Sequence, residues 1–168
     1  MLLELRKTMI TPGASTSFST KLDLHEMTFG ACRPVSQPVL AEGTVRNTAG
    51  VLKMTGSVRT VLHGICDRCM ADFIREVSFP IDAVLVPHSE AEDCENPWVF
   101  ELTQEDRADL DDIVTSVFVL SMPSQLLCSP DCKGLCFRCG KNLNLGVCDC
   151  RPEPDPRFAA LQQLLDKS

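Results

Sequence analysis

With 168 residues, 44% hydrophobic and 23% charged, the chain is long enough for a single core of ordinary size. A formal net charge of −7 excludes a surface built for nonspecific phosphate binding, which needs clustered Lys and Arg. No apolar run approaches the roughly 20 residues that cross a bilayer, and MLLELRKTMITPG lacks a signal peptide's order of charge, apolar stretch and cleavage site, so a cytoplasmic location without membrane contact is expected.

The first thirty residues, through TSFSTKLDL, read as extended structure or loop, punctuated by Pro12 and Gly13. From Pro38 the texture is β: PVLAEGTVRN, a turn at Thr48, Ala49 and Gly50, then VLKMTGSVRTVLHGI. In the latter, Leu52, Met54, Val58 and Leu62 share one parity and Lys53, Thr55, Ser57 and Arg59 the other, the alternation of a strand with one buried face. After CDRC, Phe73, Val77, Phe79 and Ile81 alternate with polar neighbours. An antiparallel meander is predicted over 15–100, with CDRC at a connection. HSEAEDCENP reads as an acidic loop and WVFEL as a short strand. Thr103 and Asp106 form a capping pattern ahead of a helix near 105–120, whose Leu110, Ile113, Val114, Val117 and Phe118 make one apolar stripe and which Pro123 must end. DPRFAALQQLLDKS predicts a terminal helix with Phe158, Leu161 and Leu165 on one side. The division expected is a sheet-plus-helix domain over 1–122 and a cysteine-rich knuckle with its helix over 123–168.

Six of the ten cysteines crowd into CSPDCKGLCFRCGKNLNLGVCDC, Cys128 to Cys150. Disulfides, redox chemistry and metal binding compete for them, and a reducing compartment disfavours the first. Two cysteines two residues apart grip one ion from a single turn, and a following glycine lets the backbone N–H groups face the sulfurs. CFRCG, with Cys136 and Cys139, has that form; Cys148 and Cys150 make a second pair, and Cys128 and Cys132 add two candidates. Some four of these six are expected to hold a structural zinc. The stretch has few large hydrophobes to offset its ordering entropy, whereas structural zinc contributes roughly 10–16 kcal/mol apparent. Four protein ligands leave no open position for a catalytic water. Lys133, Arg138 and Lys141 would partly balance the charge of such a site and are candidate phosphate contacts. Cys66 and Cys69 of CDRC leave three readings open: plain thiols in a turn, ligands shared with the tail or of a second metal site, or a redox dithiol. Strand-like flanks disfavour the last, since redox pairs sit at helix N-termini. Cys32 and Cys94 have no neighbours in sequence, and His25, His63 and His88 are scattered singly.

Charge is unevenly spread: residues 82–112 hold eleven acidic groups and one basic. Such a block is a solvated face or a surface for a basic partner. Hydrolase, phosphate-loop and metalloprotease motifs are missing from the sequence.

The run C-x3-C-K-G-L-C-x2-C-G-x-N-L-N, followed by C-x-C and D-P-R-x3-L-x2-L, resembles the C-terminal signature of the YceD-like proteins, described as large ribosomal RNA subunit accumulation proteins. The resemblance rests on Cys128, Cys132, Lys133, Gly134, Leu135, Cys136, Cys139, Gly140, Asn142, Leu143, Asn144, Cys148 and Cys150, then on Asp155, Pro156, Arg157, Leu161 and Leu164. Upstream, C-x-R-C matches at Cys66, Arg68 and Cys69. It implies a bacterial or organellar protein needed for normal levels of the large-subunit RNA, with no known catalytic reaction. The expected protein is therefore α+β: an antiparallel sheet with a packed helix, a zinc knuckle and a short terminal helix. Its expected role is noncatalytic support of ribosome assembly through a ribosomal protein or assembly factor. The rivals are a zinc ribbon that reads RNA directly and a dithiol oxidoreductase using Cys66 and Cys69.

Overall fold

The alternation read in VLKMTGSVRTVLHGI builds the longest hairpin among the described residues. In the computed structural model, which describes residues 1–30, 32–87 and 96–150, β1 (Leu2–Glu4) and a short helix α1 (Arg6–Ile10) come first. They are followed by β2 (Ser15–Leu22), β3 (Val39–Thr48), β4 (Val51–Ile65), β5 (Asp72–Val86), β6 (Val99–Glu101), β7 (Arg107–Asp109) and α2 (Leu110–Ser121). β2, β3, β4, β5 and β6 form one sheet in sequence order, and β1 pairs with β7 in a separate two-stranded ribbon. The fold is α+β, as expected.

Ala49 and Gly50, both at positive φ (53° and 91°), make the two-residue turn between β3 and β4. Leu52, Met54, Val58 and Leu62 of β4 are buried, as are Val39, Ala41 and Val45 of β3 and Ile81, Ala83 and Leu85 of β5. Each set shares one parity, so a single sheet face is apolar. Gly43 and Gly56 stand opposite each other, and a Cβ on Gly43 would lie 2.2 Å from the Thr55 carbonyl oxygen and 2.8 Å from the Phe18 ring. The two strands meet there only because both residues lack side chains.

α2 covers this face. Its stripe Leu110, Ile113, Val114, Val117 and Phe118 is buried, and the Phe118 ring stacks edge-on against Phe29 with centroids 5.9 Å apart. The helix ends before Pro123 as expected, with the Met122 N–H donating to the Phe118 carbonyl at 3.1 Å.

Three local expectations differ. The first thirty residues include α1, anchored by buried Asn47, whose Nδ2 donates to the Thr8 and Met9 carbonyls at 2.8 and 2.7 Å. β6 runs parallel to β5 rather than antiparallel, its Val99, Phe100 and Glu101 lying beside Val84, Leu85 and Val86, the last three residues of β5. The helix cap is Asp109, whose carboxylate accepts from the Asp111 N–H at 3.1 Å. Thr103 and Asp106 instead close a turn, with the Asp106 N–H on the Thr103 carbonyl at 3.0 Å. That turn feeds β7, and pairing with β1 withdraws residues 107–109 from the helix. The terminal helix over 155–168, Cys94, His88 and most of the acidic loop lie outside the described residues.

After α2 the chain returns to the core. Leu126 and Cys132 join the same buried cluster as Cys66, Cys69 and Phe73, with Leu127 and Cys128 packed against it. The β4–β5 connection and the segment after α2 are thereby brought together.

Candidate metal centres

Two sets of four cysteines result. Cys66, Cys69, Cys128 and Cys132 form one, and Cys136, Cys139, Cys148 and Cys150 the other; within each set all sulfurs lie within 4.8 Å of one another. In the first set the Sγ atoms of Cys66 and Cys132 are 3.7 Å apart and those of Cys69 and Cys128 are 3.6 Å apart. A tetrahedral ion with metal–sulfur bonds of about 2.3 Å places its ligands about 3.8 Å from one another. A disulfide would require about 2.05 Å, and these cysteines are free thiols. Both groups can therefore hold a metal ion. The six tail cysteines divide, two going to CDRC and four staying together, and neither His25 nor His63 joins them.

Each set contains the same turn. The Cys136 N–H donates to the Lys141 carbonyl at 2.8 Å and the Gly140 N–H to the Cys136 carbonyl at 2.9 Å. In CDRC, the Cys66 N–H donates to the Ala71 carbonyl and the Met70 N–H to the Cys66 carbonyl, both at 2.9 Å. Gly140 has φ +71°, and Met70, at the equivalent place, has φ +56°. CDRCM thus makes the glycine knuckle without its glycine, which is why the sequence left its role open.

Backbone and side-chain bonds clamp the first set. The Asp67 carboxylate accepts from the Leu126 N–H at 2.6 Å, and the Asp67 N–H donates to the Leu126 carbonyl at 2.9 Å. The Arg68 guanidinium donates to the Cys132 carbonyl at 3.3 Å, and the Arg68 carbonyl accepts from the Leu135 N–H at 3.2 Å. Gly134, at φ +75°, lies against that carbonyl, where a Cβ would stand 3.0 Å away. Asp67 was not singled out by the sequence; nothing in CDRC distinguishes a clamp from a solvated aspartate.

The thiols are not alike. Burial opposes ionisation of Cys66, but N–H groups of Cys128, Arg68 and Cys69 outweigh it and hold this thiol down at about 6. The Asn144 amide, 3.3 Å from its sulfur, is the main cause that lowers Cys132. Burial, reinforced by the neighbouring thiols, pushes Cys128 up to about 12. Cys69 is also raised: the Ala71 N–H favours its thiolate, but desolvation and the sulfurs of Cys66 and Cys132 prevail. The second set repeats the split. N–H groups of Cys139 and Arg138 bring Cys136 down to about 6, while Cys139 and burial push Cys150 up to about 12. Four adjacent thiolates repel one another, so the protein alone ionises only part of each set. A divalent cation held by either set would supply the missing positive charge, and coordination would deprotonate the remaining thiols.

The environments differ too. Three cysteines of the first set are buried and Cys128 is half-buried, whereas Cys139 and Cys150 of the second are exposed. Beside the second set, Phe137, Leu145 and Val147 are 85%, 86% and 90% exposed. Lys133, Arg138 and Lys141 are on the surface, and the Lys141 ammonium donates to the Val147 carbonyl at 2.7 Å.

An α+β protein with eight of its ten cysteines in two four-thiol sets is thus defined, one set drawn from the β4–β5 connection and the segment after its helix. Residues 54–165 match the family described as large ribosomal RNA subunit accumulation protein YceD, and the chain belongs to that family. An uncharacterized protein of Mycobacterium tuberculosis is 30% identical over 124 residues, covering 69% of this chain and 56% of its own length. A chloroplastic protein of Zea mays, large ribosomal RNA subunit accumulation protein YCED homolog 1, is 27% identical over 147 residues, covering 68% of this chain and 49% of its own. The chain spans about half the length of the curated relatives it matches. No solved structure matches it. Among the described residues, no helix is long and apolar enough to cross a membrane.

Proposed function

We propose that this protein supports accumulation of the large-subunit ribosomal RNA as a noncatalytic assembly factor in the cytoplasm. It carries structural zinc in both cysteine sets and binds a basic ribosomal protein or assembly factor. The match over residues 54–165, whose description names that role, carries the reading. Zinc suits sets of four thiolates near tetrahedral spacing and has no redox chemistry of its own. Four protein ligands complete each coordination sphere, which favours a staple over a reaction centre. The acidic groups of 82–112 favour a basic protein over bare RNA as the partner. Cys66 is fully buried, which counts against a dithiol oxidoreductase exchanging disulfides at Cys66 and Cys69.

One observation favours the RNA-reading alternative: Phe137, 85% exposed, sits between two candidate ligands and next to Arg138, a surface on which an unpaired base could stack. A tagged full-length chain separates the two. Capture of large-subunit proteins should survive nuclease treatment, and depletion of the protein should lower large-subunit RNA. Association that vanished with the RNA, and that fell steeply with salt and on loss of Lys133, Arg138 and Lys141, would replace the protein-partner reading with the RNA one.

A further inference from the structure

The stretch from Cys132 to Cys136 joins the two sets. Its first residue belongs to the buried set and its last to the exposed one. Between them, the Lys133 N–H donates to Asn144 Oδ1 at 2.8 Å, the Gly134 carbonyl accepts from the Leu143 N–H at 2.9 Å, and Leu135 faces Asn142 in an isolated antiparallel bridge. Residues 141–144 therefore lie back along residues 132–136. They belong to the loop between Cys139 and Cys148, whose two ends are both held by the exposed set.

Asn144 is the contact that crosses over. Its Nδ2 donates to Cys132 Sγ at 3.3 Å and to Asn142 Oδ1 at 2.9 Å, while its own N–H also donates to Asn142 Oδ1 at 2.9 Å. Asn142 thus sets the amide's orientation, so that the donor faces a sulfur of the other set. A hydrogen bond to a ligating sulfur spreads its negative charge and orients it, and such outer contacts are typically worth roughly 10–100-fold in metal affinity. Apolar packing cannot hold the loop in place by itself, since Leu145 and Val147 are almost wholly exposed. An ion gripping Cys136, Cys139, Cys148 and Cys150 would hold it.

We infer that Asn144 couples the two metal sites, so that an ion in the Cys136/Cys139/Cys148/Cys150 set tightens the Cys66/Cys69/Cys128/Cys132 set, and the reverse. The inference rests on the reading of both sets as metal sites. The reverse effect follows from linkage, because a coupling free energy acts equally on either ligand. Asn144 is a positioning residue here and touches no ion in its own right.

The test is zinc binding by the full-length chain, measured by chelator competition, with peptide-resolved alkylation reporting which thiols each ion protects. Asn144→Ala should weaken protection of Cys66, Cys69, Cys128 and Cys132 roughly 10-fold or more, and Asn144→Asp, which replaces the donor by a negative charge, by more. A Cys148→Ser, Cys150→Ser variant should weaken the buried set to a similar degree. Adding Asn144→Ala to it should cost little further, the non-additivity of a shared interaction. Two zinc ions bound with a buried set indifferent to both changes, or with strictly additive losses, would overturn the coupling and leave the metal reading intact. No zinc on the unmodified chain by native mass spectrometry would overturn the metal reading itself, and the coupling with it.

Discussion

Met70 and Gly140 hold the same place in two like turns, and exchanging their character tests whether the two turns are physically equivalent. Met70 has φ +56°, and a non-glycine residue held in that region costs on the order of 1–3 kcal/mol. Its side chain is 65% exposed, so removing it forfeits little burial. Glycine's greater freedom in the unfolded chain offsets about 0.5–1 kcal/mol of the relief. Met70→Gly should therefore stabilise the zinc-loaded protein by about 1 kcal/mol, or about 2–4 °C in Tm for a chain of this length. Gly140→Ala should do the opposite by a similar amount. Beyond its two chain neighbours no residue comes within 4 Å of the added Cβ, so its cost is the backbone at φ +71°. Calorimetry with zinc in excess measures both. A lower Tm for Met70→Gly, or none of the expected loss for Gly140→Ala, would refute the equivalence of the turns.

Further outcomes follow from the same geometry. Chelation should expose eight additional thiols to alkylation, the members of the two sets, while Cys32 reacts alike before and after; equal labelling throughout would exclude both sites. Zinc affinity should fall as pH falls, because protons compete for the same sulfurs. Between about pH 6 and 9 binding must expel protons from raised thiols such as Cys128, whereas Cys66 and Cys136, held at about 6, are already ionised. Below about 6 these two must be deprotonated as well, so the slope of log affinity against pH should steepen there, and a uniform slope from pH 8 to 5 would contradict the split. Phe118→Ala removes a fully buried ring in contact with Phe29 and Phe79 and should cost about 3–5 kcal/mol in denaturant unfolding; a loss below about 1 kcal/mol would mean that α2 is not the lid of the core. Gly43→Ala should destabilise severely, by more than about 3 kcal/mol, because its Cβ would meet the Thr55 carbonyl and the Gly56 backbone; near-neutral behaviour would argue against the register of β3 on β4.

Where the fold was legible, the signal was periodic. Leu52 to Leu62 alternate because a strand turns its side chains over every second residue, and Leu110 to Phe118 recur because a helix brings them round every third or fourth. Asp109 was missed as the cap because Thr103 and Asp106 offered a local pattern of equal quality. Pairing of residues 107–109 with the N-terminus, over a hundred positions away, decided between them. Asn144 stands in the sequence as one residue of the family signature, and the sequence could not place its amide on a sulfur of the other set.

The cysteines divide along the same line. Two ligands separated by two residues are bound to share a turn, since chain geometry alone places them there, and the sequence determined that much for CFRCG and for CDRC. Which further pair completes each set depends on how the end of the β4–β5 hairpin lies against the segment leaving α2, and that is decided by burial of Leu126, Phe73 and their neighbours rather than by any spacing between cysteines. Local backbone geometry acts over a few residues and is written in the chain; packing joins residues 66 and 132 through surfaces that exist only once the sheet and helix have closed on each other.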